Sequence, residues 1–291
     1  MNAGTPRVAL FADCFHEVNG VAHTCRQLVR FAASREVPFL VVNAGPEDRV
    51  WTEGTVTHVE FRRGFPRLPL DTDMAFDLAF PRHLRGVSEA LGAFGADVVH
   101  LTGPGDAGLI GLLLAHRTRI PVIASWHTNL HEYAGRRLPE WVPARATVCR
   151  WAEAGTWRLV GEFYRYARRT LAPNPELVAA LAAVTGKPAG LMERGVDTEL
   201  FHPAKRVREC DAEFRIGYIG RLSPEKNVRW LVEIQKTLRR LTPAPFQLCV
   251  VGQGEERAYL ERHLENAFFR GVVRGEPLAR VCAEFDALVE L

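Results

Sequence analysis

Arg7-Val-Ala-Leu-Phe-Ala-Asp13 begins the pattern that decides the fold of this chain. An amphipathic stretch from Val21 to Ser34 follows it, and then a second apolar run, Pro38-Phe-Leu-Val-Val42. A continuous apolar run followed by a segment of period 3.6 is typical of parallel strands that helices cover on both faces. The start of the chain therefore predicts a strand, a helix and a second strand of a parallel sheet.

The same alternation continues further along the chain. Asp97-Val-Val-His-Leu101 precedes a helical stretch from Asp106 to His116, and Pro121-Val-Ile-Ala-Ser125 comes next. Between Thr55 and Asp77 the periodicity is poor and prolines interrupt it, so we expect an excursion outside the sheet. A long helical region is predicted from Pro143 to Arg169. One face of this helix is apolar and comprises Val148, Trp151, Ala152, Gly155, Leu159, Phe163 and Tyr166; the other carries Arg150, Arg158, Arg165 and Arg169. The helix could pack against the domain or contact an anionic surface. These segments predict a doubly wound α/β domain.

A second unit of the same kind begins at Phe214-Arg-Ile-Gly-Tyr-Ile-Gly220. A helix from Asn227 to Leu241 and the strand Phe246-Gln-Leu-Cys-Val-Val251 follow, and the alternation ends at Asp286-Ala-Leu-Val289. We therefore predict two Rossmann-like domains in tandem, residues 1–195 and 205–291, with four strands in the second.

Composition restricts the classes of partner. The 291 residues include 37 basic and 34 acidic side chains, and the net charge of +3 provides no extended positive field for nucleic acid. The six cysteines are scattered without C-x-x-C or Cys/His spacing, so we expect free thiols in a reducing compartment and no metal site. No window contains the roughly 18 apolar residues that a membrane span needs, and the first apolar run is too short for a signal peptide. These features predict a cytoplasmic protein.

Two motifs suggest chemistry but match their consensus only in part. Gly103-Pro-Gly-Asp-Ala-Gly108 has the form G-x-G-x-x-G, yet the next strand ends in Ser125 rather than an acidic residue, which favours a tight turn over a nicotinamide site. His127 and His131 lie four residues apart after a strand end. Without the Glu of H-E-x-x-H, a dimetal site is the weaker interpretation, and His127 is better interpreted as a hydrogen-bonding group aimed into a cleft.

Two strand-to-helix turns could bind anions. Gly20 follows the first strand, where the amides of a helix N-terminus could meet a phosphate, although a plain turn glycine is the alternative. The loop Gly220-Arg-Leu-Ser-Pro-Glu-Lys-Asn227 places Arg221 and Lys226 before a helix. Two cations there suit a diphosphate, and a solvated charged loop is the alternative.

Taken together, these segments resemble the retaining glycosyltransferases of family 4, which belong to the GT-B class and use nucleotide sugars. The resemblance is strongest to the mannosyl- and glucosyltransferases that build glycolipids and related glycans. It rests on segments in family order and at family spacing: Val18-Asn-Gly-Val21, Asp97-Val-Val-His100, Gly103-Pro-Gly105, Ser125-Trp-His-Thr128, Arg194-Gly-Val-Asp-Thr-Glu-Leu-Phe-His-Pro203, Gly220-Arg-Leu-Ser-Pro-Glu-Lys226 and Val250-Val-Gly-Gln-Gly254.

The resemblance implies a GT-B-like pair of Rossmann-type domains, the first for the acceptor and the second for the donor. Gly20 would lie near the donor phosphate, and His127 would bond the transferred sugar close to the reacting centre. Arg221 and Lys226 would hold the diphosphate and neutralise the charge that develops as it leaves.

The same resemblance implies the ligands. The donor would be a GDP- or UDP-linked sugar, bound without metal or cofactor, and Gly252 and Gly254 would let the backbone approach the nucleotide. The acceptor would be a lipid or a glycan. The basic and aromatic segment from Phe61 to Leu68 suggests peripheral contact with the inner face of a membrane through Arg62, Arg63 and Arg67, and a loop for a soluble acceptor is the alternative.

One departure from the family concerns the second domain. Family members carry two glutamates eight positions apart just beyond the strand that corresponds to Asp286-Ala-Leu-Val289, and this sequence ends before them. Three pairs have that spacing but do not follow that strand: Glu132/Glu140, Glu225/Glu233 and Glu276/Glu284. We therefore expect an incomplete second domain, an open edge at its fourth strand and a chain that is a fragment. A non-catalytic module that binds a nucleotide sugar and a sugar-nucleotide epimerase of the same architecture remain as alternatives.

Overall fold

The computed structural model of this chain describes residues 5–17, 19–71, 74–127, 145–207 and 213–291, with backbone alone for 67–71, 74–75 and 145–154. The residues form two compact units, Met1–Gly195 and Val196–Leu291. The first unit ends at the last residue of the first predicted domain, and the second begins at Val196 rather than at residue 205.

The first unit is built on an eight-stranded sheet. In spatial order the strands are β10, β9, β8, β7, β1, β2, β4 and β3, and every neighbouring pair is parallel except β3 with β4. Their bounds are β1 Val8–Ala12, β2 Phe39–Gly45, β3 Arg49–Glu53, β4 Val56–Arg62, β7 Val98–Leu101, β8 Val122–Ser125, β9 Arg169–Ala172 and β10 Ala189–Leu191. A separate hairpin consists of β5 Arg67–Asp71 and β6 Met74–Asp77. The described helices of this unit are α1 Gly20–Ser34, α2 Leu84–Phe94, α3 Asp106–Thr118, α4 Arg145–Arg165 and α5 Pro175–Thr185.

Alternate residues of β1 enter different cores. Ala9 and Phe11 belong to the cluster that packs under α2, α3 and α4, whereas Leu10 and Ala12 belong to the cluster under α1. Because side chains alternate across a strand, a strand covered on both faces needs apolar residues at every position. This requirement explains the continuous apolar run at the start of the sequence, and the predicted α/β class is confirmed.

The expectation for residues 55–77 is wrong in its first part. Val56–Arg62 forms β4, which pairs in parallel with β2, and β3 joins it as the antiparallel edge. In β4 the side chains of Val59 and Phe61 are buried in the main core, while His58 and Glu60 are buried polar groups that break the apolar pattern. Because these two polar positions interrupt the apolar pattern, the sequence did not predict this strand.

The predicted apolar face of the long helix is also wrong in part. Of the residues that the structure describes in full, Phe163 is buried as expected, but Leu159 is 74% exposed and Tyr166, just beyond the helix, is 62% exposed. Val160 and Tyr164 are buried instead, so the face that contacts the domain is rotated by about one residue. Val148, Trp151 and Ala152 lie outside the residues whose side chains are described.

The second unit contains a four-stranded parallel sheet in the order β13, β12, β11, β14. The strands are β11 Phe214–Ile219, β12 Phe246–Val251, β13 Ala267–Gly271 and β14 Ala287–Val289, and the helices are α6 Trp230–Leu241, α7 Arg257–His263 and α8 Gly275–Ala283. The fourth strand, β14, lies beside the first, β11. Within the described residues no strand pairs with its other side, and Leu288 is 60% exposed.

The topology places the loops that matter for function. Strand order reverses between β1 and β7 in the first unit and between β11 and β14 in the second. Loops that follow the carboxyl ends of strands at such a reversal form a crevice where open α/β sheets bind ligands. Gly20 and Arg221 follow β1 and β11, one in each unit.

Candidate functional site

His127 belongs to a hydrogen-bonded chain at the carboxyl end of β8. Its Nε2 lies 2.7 Å from the Ser125 hydroxyl, and the same hydroxyl lies 2.9 Å from Nε2 of His100 on β7. Tyr164 on α4 donates to the Ser125 carbonyl at 3.2 Å. Ser125, His100 and Tyr164 are buried, whereas His127 is partly exposed, so the chain ends at a ring that solvent or a ligand can reach.

Both imidazoles are neutral near pH 7. Burial first, and then the neighbouring His127, lower the pKa of His100 to about 4. The pKa of His127 is likewise lowered to about 4, by burial first and then by the positive charge of Arg194. His127 is therefore suited to neutral hydrogen bonding, and its low pKa makes it a weak proton acceptor at that pH.

Gly20 lies under an arginine that the sequence did not single out as a site residue. A Cβ built at Gly20 would lie 2.3 Å from Nη1 of Arg194, so the guanidinium rests directly against the backbone of the first turn of α1. Arg194 is exposed and has no hydrogen bond or ion pair with any described residue.

The start of α1 has free amides beside that guanidinium. The Asn19 side chain caps the helix and accepts from Ala22 N at 2.9 Å, while the amides of Gly20 and Val21 have no partner among the described residues. Free amides and a positive helix end attract anions, and the unpaired charge of Arg194 adds to this attraction. We call this group, formed by Arg194 and the amides of Gly20 and Val21, the α1 cradle.

The loop Gly103 to Gly108 is filled by a carboxylate of the protein itself. Asp13 accepts hydrogen bonds from Gly105 N and Gly108 N, each at 2.9 Å, and a Cβ at any of the three glycines would come within 3.4 Å of its carboxylate. The loop amides that a pyrophosphate would need therefore already have a partner, which agrees with a tight turn. Burial and the charge of Asp106 raise the pKa of Asp13 to about 7, despite those amides and Arg63.

The segment from Phe61 to Leu68 does not present its arginines as one surface. Arg63, whose side chain is only 15% exposed, donates to both carboxylate oxygens of Asp106 at 2.6 and 3.0 Å and to the Asp13 carbonyl at 3.1 Å. Arg62 is exposed, and the Arg67 side chain lies outside the described residues. The expectation that Arg63 contacts a membrane is thus wrong, because a buried carboxylate holds it inside the domain.

In the second unit, Arg221 and Lys226 lie on one loop after β11. Arg221 is 3.6 Å from Glu225, whose carboxylate also accepts from the Ser223 hydroxyl at 2.6 Å. Lys226 is exposed and has no ion-pair partner among the described residues. The loop therefore carries one free cation and one that an anionic ligand would have to share with Glu225.

Gly252 and Gly254 have a structural reason for being glycine. Gly252 has a φ of 145°, and a Cβ there would lie 1.8 Å from the Gly220 carbonyl. A Cβ at Gly254 would lie 2.1 Å from the Leu222 carbonyl. The two glycines let the loop after β12 pack against the loop that carries Arg221, and Leu222 N donates to the Gln253 carbonyl at 2.9 Å to fix this contact.

The sequence missed Arg194, Ser125 and His100 as site residues. Arg194 was visible only as part of a longer motif, and Ser125 and His100 were visible as polar residues at the ends of apolar runs. In the parts of the chain that the structure describes, no group of three or more His, Cys, Asp or Glu side chains could hold a metal ion. Cys14, Cys25 and Cys249 are buried free thiols and Cys282 is a half-buried one, while Cys149 and Cys210 lie outside the residues with described side chains. None of the helices among those same residues has both the length and the apolar character needed to cross a bilayer.

Comparison with known proteins agrees with these features. The chain is 28% identical to a GDP-mannose-dependent alpha-mannosyltransferase of Corynebacterium glutamicum over 97% of its length and 66% of that protein. It is 30% identical to a protein of the same description from Mycolicibacterium smegmatis over 97% of its length and 72% of that protein.

Solved structures share the fold at lower identity. A lipopolysaccharide outer core galactosyltransferase, WaaB, superposes with a TM-score of 0.59 at 15% identity, over 97% of this chain and 73% of that one. The UDP-N-acetylglucosamine 2-epimerase of Rickettsia bellii superposes with a TM-score of 0.50 at 10% identity, over 96% of this chain and 72% of that one. At these identities the likeness concerns the fold alone.

The chain has two Rossmann-type units, and in each of them loops follow the strands at the point where the strand order reverses. This arrangement is that of the GT-B class of glycosyltransferases. Residues 18–200 match the model of Glycosyltransferase Family 4, and residues 213–290 match that of Glycosyl transferases group 1. The chain belongs to Glycosyltransferase Family 4, and the resemblance stated from its motifs is confirmed.

Proposed function

We propose that this chain transfers a hexose from a nucleoside-diphosphate sugar to a hydroxyl group of a lipid or glycan acceptor, with retention of the anomeric configuration. The observation that carries the proposal is the α1 cradle, in which an unpaired arginine and two free amides lie at the strand reversal of a family 4 fold, close to His127. A phosphate group of the donor is the ligand that this combination of charge and amides suits.

In the proposed reaction the acceptor oxygen forms a bond to the anomeric carbon while the bond from that carbon to the diphosphate breaks. The departing phosphate takes the proton of the acceptor hydroxyl, so no side chain has to act as the base. The α1 cradle stabilises negative charge on the leaving group, and His127 bonds the transferred sugar. Arg221 and Lys226 are proposed to bind the diphosphate as well, without a metal ion or cofactor.

GDP-mannose is the first donor to test, because the curated relatives are described as GDP-mannose-dependent mannosyltransferases. A UDP-linked hexose is the second. Purified protein is incubated with each donor and a lipid or glycan acceptor in EDTA, and the products are analysed by mass spectrometry and by the anomeric coupling in NMR spectra. A new glycoside of unchanged configuration supports the proposal. An altered sugar nucleotide identifies an epimerase, and binding without any product identifies a non-catalytic module.

Substitutions connect the reaction to the predicted residues. His127→Ala should lower turnover by orders of magnitude while the thermal unfolding of the protein changes little, because the ring is partly exposed. Lys226→Met should weaken the binding of the nucleoside diphosphate by about tenfold or more, the loss expected for one charge-assisted contact. Lys236→Met is the matched control, since Lys236 is an exposed lysine of the same unit that pairs with Glu233. Equal effects of the two lysine substitutions would contradict the role of Lys226.

Peripheral membrane contact is part of the proposal and is supported by the exposed Arg62. Sedimentation with vesicles that contain anionic lipid should capture the protein, and Arg62→Gln should reduce capture. Arg35→Gln, which changes an exposed arginine at the end of α1, is the control. Capture that ignores both anionic lipid and Arg62 would remove the membrane from the proposal.

A further inference from the structure

His100 on β7, Ser125 at the end of β8 and His127 just beyond it form a continuous hydrogen-bonded path. The Ser125 hydroxyl lies between Nε2 of His100 at 2.9 Å and Nε2 of His127 at 2.7 Å. Ser125 and His100 are buried, and no described charged side chain is hydrogen-bonded to either of them. The hydroxyl and the two rings carry few protons, so the donor and the acceptor of each hydrogen bond can be deduced.

The number of available protons restricts the tautomers of the two histidine rings. Each neutral imidazole carries one ring proton, on either Nδ1 or Nε2, and the hydroxyl carries one. The hydroxyl has one proton and two lone pairs, so it donates to one ring and accepts from the other unless its proton goes to a third acceptor. The Leu101 carbonyl, the remaining acceptor near this hydroxyl, is 3.5 Å away, which is long for an O–H donor. The two histidines must therefore hold opposite tautomers.

The two distances favour one direction. A hydroxyl donor makes a shorter contact than a ring N–H donor, because typical O–H contacts peak near 2.7–2.8 Å and N–H contacts near 2.9–3.0 Å. The 2.7 Å contact thus corresponds to Ser125 donating to His127, and the 2.9 Å contact to His100 donating to Ser125. His127 then carries its proton on Nδ1, the nitrogen that Ser125 does not contact.

We propose that Ser125 is a positioning residue that, supported by His100, holds His127 as the neutral Nδ1–H tautomer, so that His127 donates a hydrogen bond to an oxygen of the transferred sugar. This inference rests on the proposed function, because it deepens the role given there to His127. The proton on Nδ1 is a donor for a sugar oxygen and prevents that nitrogen from accepting the proton of the acceptor hydroxyl. The arrangement agrees with a reaction in which the leaving phosphate is the base.

The direct test is NMR spectroscopy of the intact protein labelled with ¹⁵N-histidine. The His127 signals are assigned by their loss in His127→Gln. At neutral pH we expect a protonated Nδ1 and an unprotonated Nε2 for His127, and the reverse pattern for His100. A His127 protonated on Nε2 would overturn the proposal. This result does not depend on turnover, so it can be separated from a failure of the proposed function.

Kinetics supply the second test. In Ser125→Ala the hydroxyl is lost, so His127 should become a mixture of tautomers and kcat should fall by about tenfold, the loss expected for one hydrogen bond. The affinity for the nucleoside diphosphate that the wild type binds should stay unchanged, because that ligand has no sugar for His127 to contact. A loss of fold would lower both quantities together.

A matched control removes a buried hydroxyl that has no hydrogen-bond partner among the described residues. Thr170 lies on β9 next to β8, it is fully buried, and its Oγ1 has no hydrogen-bond partner among the described residues. Thr170→Val should therefore leave kcat and the NMR pattern of His127 as they are in the wild type. His100→Phe should lower kcat less than Ser125→Ala, since Ser125 can still donate to His127. Wild-type kcat in Ser125→Ala, or a larger loss in His100→Phe than in Ser125→Ala, would overturn the proposal.

Discussion

At the scale of single residues, the charged groups near the strand reversal of the first unit differ in whether they have a partner. The groups are Arg194, Asp13 and Arg63. Asp13 is enclosed by the amides of Gly105 and Gly108, and Arg63 is paired with Asp106. Arg194 alone among these three groups has no partner in the described residues. A group already paired inside the protein is poorly available to a ligand, so Arg194 is the charge that remains for one.

Arg194→Met should therefore weaken donor binding. Loss of one charge-assisted contact with phosphate corresponds to about tenfold in Kd, and the effect should be present for the nucleoside diphosphate without its sugar. Calorimetric titration measures it. Arg85→Met is the control, because Arg85 is an exposed arginine of the same unit that pairs with Glu89. An unchanged Kd in Arg194→Met would show that the α1 cradle does not hold phosphate.

His100 and His127 make the stability of the first unit depend on pH. An unfolded histidine binds a proton near pH 6.5, whereas His100 and His127 resist protonation until about pH 4. The unfolded state therefore binds more protons in this window, and the free energy of unfolding falls as pH falls from about 6.5 to about 4. Besides burial, the charge of Arg194 disfavours protonation of His127, and His127 disfavours protonation of His100.

The His100→Phe variant removes the contribution of His100 to this pH dependence, so a comparison with the wild type measures that contribution. The decline in unfolding free energy should be shallower in the variant by up to about 1.4 kcal/mol per pH unit, the value for one proton. Asp13 acts in the opposite direction, since its raised pKa makes the folded state bind the extra proton between about pH 4 and 7, and it contributes to both proteins alike. Denaturant titrations between pH 4.5 and 7.5 provide the comparison. If unfolding free energy depends on pH equally in the two proteins, His100 binds its proton as readily in the folded state as in the unfolded state.

At the scale of elements, glycines in two helices of this unit face different surroundings. Gly111 in α3 lies against β1 and β7, where a Cβ would come within 2.6 Å of Phe11 Cγ and 2.7 Å of Leu101 Cδ2. Gly92 in α2 faces open space, with no atom within 4 Å of such a Cβ. Glycine lets α3 pack closely, whereas at Gly92 it has no packing role.

The same substitution should consequently have opposite signs in the two helices. Gly111→Ala should lower the free energy of unfolding by about 1–3 kcal/mol, the usual effect of overfilling a packed core. Gly92→Ala should raise it by about 0.5–1 kcal/mol, because alanine restricts the unfolded chain and favours the helix. Denaturant unfolding of the first unit measures both. A stabilising Gly111→Ala would mean that α3 can move away from the sheet at little cost.

At the scale of the whole molecule, each of the two units has its own core. Leu40 belongs to the main cluster of the first unit, and Leu260 belongs to the cluster of the second. Both side chains are fully buried, and no described cluster contains residues of both units. Separate cores allow separate cooperative transitions.

Calorimetry should accordingly resolve two unfolding transitions. Leu40→Ala should destabilise the first unit alone and Leu260→Ala the second alone, each by about 2–5 kcal/mol, the usual range for a buried leucine. Each substitution serves as the control for the other. A single transition that both substitutions lower equally would show that the two units unfold together.

Much of the fold could be predicted from the sequence, and the failure to predict strand β4 has a physical cause. Strand β1 and helix α1 were evident because their apolar spacing is encoded by adjacent residues. Strand β4 was missed because Glu60 and His58 are polar yet buried, and Glu60 is buried because Arg49 and His16 bond its carboxylate. A pattern of apolar residues cannot show that a charge is neutralised by a partner from another strand.

For the candidate site, the sequence by itself determined the alternation of strands and helices around the site loops, the family and the positions of Gly20, His127, Arg221 and Lys226 in those loops. These follow from local periodicity and from motifs that are contiguous in the chain. Only the tertiary structure decided which charges are available: it placed Arg194 over Gly20, paired Arg63 with Asp106 and connected His127 to His100 through Ser125. Those contacts join residues that are distant in sequence, and which partners meet depends on the packing of strands and helices around the two cores.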